Sequence, residues 1–172
     1  MKKVVKMPEL KRGLKAGAVV GLIWGFVAII FEFMWNLIFN WIPNGSYIAY
    51  YLLGLVPQLA GTALIWGLFG LVFAAFYNKP TKKQSHKLAI FSSILAVLLI
   101  ITHFAGLTDL ALAPVVNLNN ILVNLNSNSF VYVYVIQAPI FFCVIIVYSI
   151  IGTLLLNYFW DKFGQKEAKK KK

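Results

Sequence analysis

The stretch "GLKAGAVVGLIWGFVAIIFEFMWNLIF", residues 13–39, decides the class of this protein. From Ala16 to Phe39 it carries a single charged residue, Glu32, and it is longer than the roughly 20 residues that a helix needs to cross a bilayer. A secretory signal peptide has a shorter apolar core, of about 7–15 residues, followed by a cleavage site of small residues. Neither feature is present in this stretch. We therefore interpret 16–39 as a retained first membrane span.

The composition of the whole chain agrees with this interpretation. Of its 172 residues, 60% are hydrophobic and 12% are charged, and the mean hydropathy is +0.79. A soluble domain is about half apolar and about a quarter charged. The polar residues here are too few to cover the surface of a globule. The composition predicts an all-α, polytopic membrane protein.

Three further apolar runs, 56–77, 88–106 and 138–160, complete a predicted bundle of four transmembrane helices. We expect residues 1–172 to form a single membrane domain. The second run extends back to Tyr47, and a helix from there to Tyr77 would reach about 46 Å, more than a bilayer core of roughly 30 Å. Pro57 offers a division between an interfacial segment and the span; one long, tilted helix is the alternative.

The segments expected on the outer side are 40–55 and 107–137. In the second, Val115, Leu118 and Leu122 recur at helical spacing, which predicts an amphipathic helix lying on the membrane surface. Pro114 suits the first turn of such a helix.

The net charge of +11 could suggest a nucleic-acid partner, but its distribution favours a membrane topology. All 16 lysines and arginines lie in three segments, at 1–15, 79–87 and 161–172. The segments expected on the outer side contain none, which is the distribution that the positive-inside rule describes. We expect a multi-pass plasma-membrane protein with both termini in the cytoplasm. Its basic tails, 1–15 and 161–172, are expected to contact anionic lipid headgroups, and no nucleic-acid partner is expected.

Glycine recurs at every fourth position from the end of the basic tail into the first span: Gly13, Gly17, Gly21 and Gly25. Glycine costs roughly 1 kcal/mol relative to alanine inside a helix, so the spacing needs a reason. In lipid, small residues at this spacing let helix backbones approach closely. The second span carries a matching stripe of small residues: Ala63, Gly67, Gly70 and Ala74. We predict a tight hairpin of the first two spans; oligomerisation is the alternative use of the stripes.

Glu32 continues the glycine face of the first span. An ionisable group inside a span costs at least roughly 2.5–3.5 kcal/mol and normally faces a partner or a cavity. Counted along their helices, His103 and Thr62 fall near its height, and Asn36 lies one turn further on. The four residues are our candidate proton or ion site. The alternative is a structural carboxylate–imidazole pair, or two unrelated residues near the membrane boundary.

Ser149, Thr153 and Asn157 share one face of the fourth span. Hydroxyl groups at this spacing usually bond to carbonyl groups of the preceding turn or to a neighbouring helix. We interpret this face as bundle interior.

The chain lacks the sequence motifs of the common hydrolases, metalloenzymes and nucleotide-binding proteins. It has two histidines, five acidic residues and one cysteine, Cys143. We expect no enzymatic activity, cofactor or metal. The leading hypothesis is a non-enzymatic subunit or scaffold of a membrane complex, with a protein partner or further copies of itself. The alternative is a small oligomeric transporter or channel that moves protons or cations through Glu32 and His103.

Overall fold

The structure is a computed structural model that describes residues 7–39, 45–77, 84–104, 112, 114–116 and 138–169. The described residues form four long helices and contain no strand. The helices are α1 (Met7–Phe39), α2 (Gly45–Tyr77), α3 (Gln84–Phe104) and α4 (Ala138–Lys169). The predicted all-α class is confirmed for this part of the chain.

Three of these helices are long and apolar enough to cross a membrane, over Met7–Met34, Leu53–Tyr77 and Pro139–Gln165. The apolar part of α3 is shorter, Ser85–Ile101. The protein is therefore a membrane-embedded helical protein, and the part of the chain that the structure describes contains three helices of spanning length. The predicted third span, 88–106, corresponds to the shorter apolar helix.

The helices extend beyond the apolar runs that predict them. α1 begins at Met7, within the basic tail, and α4 continues to Lys169. α2 runs from Gly45 to Tyr77 through Pro57, as one continuous helix. A run of apolar residues marks only the part of a helix that can contact lipid, whereas the helical hydrogen bonds continue into the charged residues beyond it. An apolar helix can also continue through a proline. The bounds of the helices therefore differ from those of the runs.

The α1–α2 interface is the most extensive, and α4 contacts both α3 and α1. α2 meets α3 through Phe73 and Phe76, which contact Phe91 at ring-centroid distances of 5.0 and 6.3 Å. We call the end of the bundle that contains Lys11, Arg12 and Lys162 the basic end. The largest fully buried side chains of the described core come from all four helices and from the segment after α3: Val20, Trp66, Phe73, Leu95, Leu99, Leu112, Ile145 and Leu156.

The short helical turn at 114–116 adds apolar side chains to this core. The backbone N–H groups of Val115 and Val116 donate to the carbonyl oxygen of Leu112, at 2.8 and 2.9 Å. Leu112 and Val115 are buried. Val115 thus packs into the protein core, which differs from the surface position expected for it. Leu118 and Leu122 lie outside the described residues.

Candidate functional site

The glycines of α1 lie directly against the backbone of α2. A Cβ atom added to Gly13, Gly17 or Gly21 would collide with the carbonyl oxygens of Gly70, Trp66 and Thr62, respectively. In each glycine a Cα hydrogen occupies that position and points at the carbonyl, which is the arrangement of a Cα–H···O contact. We call this interface the glycine seam.

The glycines of α2 complete the seam from the other side. A Cβ at Gly70 would collide with the carbonyl oxygen of Gly13, and one at Gly67 would lie 3.1 Å from the side chain of Leu14. A Cβ at Gly25 would meet side chains instead, with Thr62 Oγ1 at 2.6 Å and Leu59 Cδ2 at 2.8 Å. The structure therefore places the six glycines of the predicted packing set between α1 and α2 of a single chain.

Thr62, one of the four residues of the candidate proton or ion site, belongs to this seam. It is fully buried, and its hydroxyl donates to the carbonyl oxygens of Gln58 and Leu59 in its own helix, at 2.9 and 3.1 Å. Its hydroxyl also lies against Gly25. These contacts engage the hydroxyl of Thr62 within the α1–α2 interface.

Glu32 is half-buried on α1, seven positions beyond the last glycine of the seam. Asn36 and His103 lie within α1 and α3, but their side chains are outside the described residues. Pairing of Glu32 with His103 therefore stays a prediction.

An aromatic cluster joins α4 to the glycine seam. The ring of Trp24 lies 6.3 Å from that of Trp66 and 4.2 Å from that of Tyr148, and Trp66 lies 5.6 Å from Tyr148. The far edge of the Trp66 indole packs against Gly152, where an added Cβ would collide with the ring. Trp66 therefore links the glycine seam between α1 and α2 to α4, where its ring occupies the space that the missing side chain of Gly152 leaves open. We call this space the notch at Gly152.

At the basic end, Arg12 of α1 lies along one face of α4. Its guanidinium is 5.1 Å from the centroid of the Trp160 ring, and its Nη2 donates to Glu167 Oε2 at 2.7 Å. Gly164 provides the space for the guanidinium, because a Cβ there would lie 2.8 Å from Arg12 Nη1. Positions 160, 164 and 167 share a helix face. The contacts of Arg12 fix the start of α1 to the end of α4.

Six buried polar atoms have no hydrogen-bond partner within the part of the chain that the structure describes. They are Arg12 Nε, Trp24 Nε1, Trp66 Nε1, Tyr77 OH, Thr153 Oγ1 and Asn157 Oδ1. Buried polar groups are normally hydrogen-bonded, so each of these atoms needs an explanation.

The described residues contain no group of three His, Cys, Asp or Glu side chains able to hold a metal ion. Comparison of the chain with known protein families, curated proteins and solved structures finds no match. A function must therefore be argued from the contacts of these helices alone.

The contacts of Arg12 and Gly152 were not predicted from the sequence. The signal for both was present in α4, where Gly152 and Gly164 interrupt an otherwise bulky helix. A glycine in a helix indicates close approach of a neighbour, but not which side chain approaches.

Proposed function

We propose that this protein is a small, non-enzymatic integral membrane protein that acts as a subunit or scaffold of a membrane complex. The observation that carries the proposal is the glycine seam. At Gly13, Gly17 and Gly21, α1 meets the backbone of α2 directly and has no side chain of its own that could repack there. Such a pair has the rigidity that suits a structural subunit.

The charges at the basic end support the proposed orientation, with both termini in the cytoplasm of a plasma-membrane protein. Lys11, Lys15 and Lys162 are exposed, and Lys162 lies one turn beyond the exposed ring of Tyr158, 5.4 Å from its centroid. An interfacial aromatic residue followed by lysine is typical of the cytoplasmic boundary. Lysines at this level attract anionic headgroups by about 1 kcal/mol each.

Purification of the full chain from its own membrane in mild detergent tests the scaffold proposal. We expect a particle heavier than one 19.3 kDa chain after the mass of bound detergent and lipid is subtracted, with a constant ratio of its protein components. Gly17→Leu should disrupt this particle, because its side chain would separate α1 from α2. Gly54→Leu is the matched control, since nothing lies within 4 Å of a Cβ there. A wild-type particle of one chain alone would contradict the proposal.

The second candidate is a small oligomeric transporter or channel for protons or cations. Its support is Glu32, a half-buried carboxyl group within the apolar stretch Met7–Met34. The purified chain in liposomes with an entrapped pH dye should then conduct protons under an imposed potential, and Glu32→Gln should abolish the flux. Equal flux in both proteins would exclude the carboxyl group as the carrier.

A further inference from the structure

The cations at the basic end differ in what their side chains contact, and two of them point into the protein. The guanidinium of Arg12 lies against the Trp160 ring and donates to Glu167. The ammonium group of Lys87 donates to the carbonyl oxygen of Tyr77, the last residue of α2, at 3.3 Å, and it lies 5.7 Å from the centroid of the Tyr77 ring. The protein itself therefore supplies the contacts of these two cations.

Two other cations, Lys11 and Lys15, lie on the outer face of α1. Both are exposed, and they share one side of the helix because they are one turn apart. Arg12 stands between them in sequence but reaches toward α4. Glu9 lies on a different side of α1, because residues two positions apart do not share a helix face. Two like charges one turn apart repel each other, so an anion that contacts both ammonium groups would stabilise this arrangement.

The same side of α1 continues into the membrane as an apolar surface. Leu22 and Phe26 are exposed, and at 3.6 residues per turn they lie within a sector of about 60° that also contains Lys11 and Lys15. Phe26 is eleven residues beyond Lys15, and eleven helical residues rise about 16 Å. That rise is about half of a bilayer core of roughly 30 Å, which is the depth of one leaflet.

An anionic phospholipid matches both parts of this surface. Its phosphate supplies negative charge and oxygen acceptors, which lysine binds as a point charge. Its acyl chains are apolar and extend through one leaflet, as the surface of Leu22 and Phe26 does. A zwitterionic lipid also carries a cation, which the two lysines repel. A soluble phosphate would gain nothing from the apolar part of the surface.

We propose that α1 binds one anionic phospholipid, with the phosphate between Lys11 and Lys15 and an acyl chain along Leu22 and Phe26. Arg12 and Lys87 hold helices together and take no part in the binding. The inference rests on the proposed attraction of anionic headgroups to the basic end, and it assigns that attraction to particular residues. It does not depend on the scaffold function, because a chain without a protein partner would bind the lipid in the same way.

Lipid titration followed by native mass spectrometry tests the site in the full chain. The protein in mild detergent is titrated with phosphatidylglycerol, or with phosphatidylcholine that has the same acyl chains. We expect the first phosphatidylglycerol to bind at least about tenfold more tightly than phosphatidylcholine. Lys11→Gln and Lys15→Gln should each weaken the binding of phosphatidylglycerol about fivefold, the equivalent of about 1 kcal/mol. Equal affinity for the two lipids, or an unchanged affinity in either variant, would overturn the proposal.

Arg12→Gln and Lys87→Gln are the matched controls, because each removes the same charge from a cation that points into the protein. Either control, once its melting curve shows that it is folded, should bind phosphatidylglycerol as the wild type does. A loss as large as that of the Lys11 and Lys15 variants would mean that net charge alone attracts the lipid, and would overturn the site.

Inorganic phosphate at constant ionic strength distinguishes a lipid site from a site for soluble phosphate. We expect it to leave the bound phosphatidylglycerol in place, because it lacks the acyl chain that contacts Leu22 and Phe26. Displacement of the lipid by phosphate would assign the two lysines to a soluble anion and would contradict the proposal.

Discussion

The α1–α2 and α2–α4 interfaces join helices in opposite ways. Along the glycine seam, Gly13, Gly17 and Gly21 place the backbone of α1 against the backbone of α2. The atoms of α2 that face these glycines are carbonyl oxygens. Between α2 and α4, the large ring of Trp66 fills a notch at Gly152. At these three glycines the first interface tolerates no added atom, because the backbone of a helix cannot yield locally. The α2–α4 interface can adjust by movement of the Trp66 side chain, but it also buries the polar Nε1 atom of that side chain.

A glycine-to-alanine substitution should therefore lower the free energy of unfolding more at the glycine seam than at the α2–α4 interface. Gly17→Ala puts a methyl group onto the carbonyl oxygen of Trp66, so α1 and α2 must separate along their length. We expect a loss of about 3 kcal/mol in the free energy of unfolding, at the upper end of typical overpacking costs. Denaturant titration of the purified protein in mixed micelles, followed by circular dichroism, measures it.

The control for this prediction is Gly54→Ala. This position of α2 is open, so the substitution should be neutral, or stabilising by up to roughly 1 kcal/mol through helix propensity. If Gly17→Ala proves as harmless as Gly54→Ala, the seam is not closely packed.

Gly152→Ala should cost less than Gly17→Ala, about 1–2 kcal/mol, because the methyl group meets the edge of the Trp66 ring. The emission of buried indoles should shift in the same variant. In a Trp66→Leu background, Gly152→Ala should cost much less of the free energy of unfolding, since leucine leaves room for the added methyl group. Additive losses in the double variant would show that the ring is not what Gly152 accommodates.

The smallest expected effect belongs to the ion pair that closes the basic end. The side chains of Arg12 and Glu167 are 22% and 39% exposed, so solvent screens their attraction. Glu167→Gln should lower the free energy of unfolding by no more than about 1 kcal/mol, and the loss should shrink in high salt. In an Arg12→Gln background the substitution should have no effect. A loss that persists there would assign Glu167 to another partner.

The glycine face could be predicted because small residues are informative in any surroundings. At Gly17 and Gly21 the missing side chain itself marks where another backbone approaches. The aromatic contacts could not be predicted in this way. Trp66 is fully buried and Phe26 is 54% exposed, yet both are large apolar residues of apolar helices. Lipid is as apolar as a protein core, so hydropathy cannot separate the face that packs from the face that meets the bilayer.

The sequence by itself determined the helical, membrane-embedded class, since long apolar runs can satisfy their backbone in lipid only as helices or closed barrels. It also determined the stripes of small residues that mark α1 and α2. Only the tertiary structure decided that Arg12 reaches Glu167 and that the Trp66 ring packs against Gly152. It also decided that the Ser149 hydroxyl has a hydrogen-bond partner, whereas the Thr153 hydroxyl has none among the described residues. Those outcomes depend on how far each helix extends and how it is rotated against its neighbours. Rotation is set by the fit of all contacting side chains together, and no local pattern encodes it.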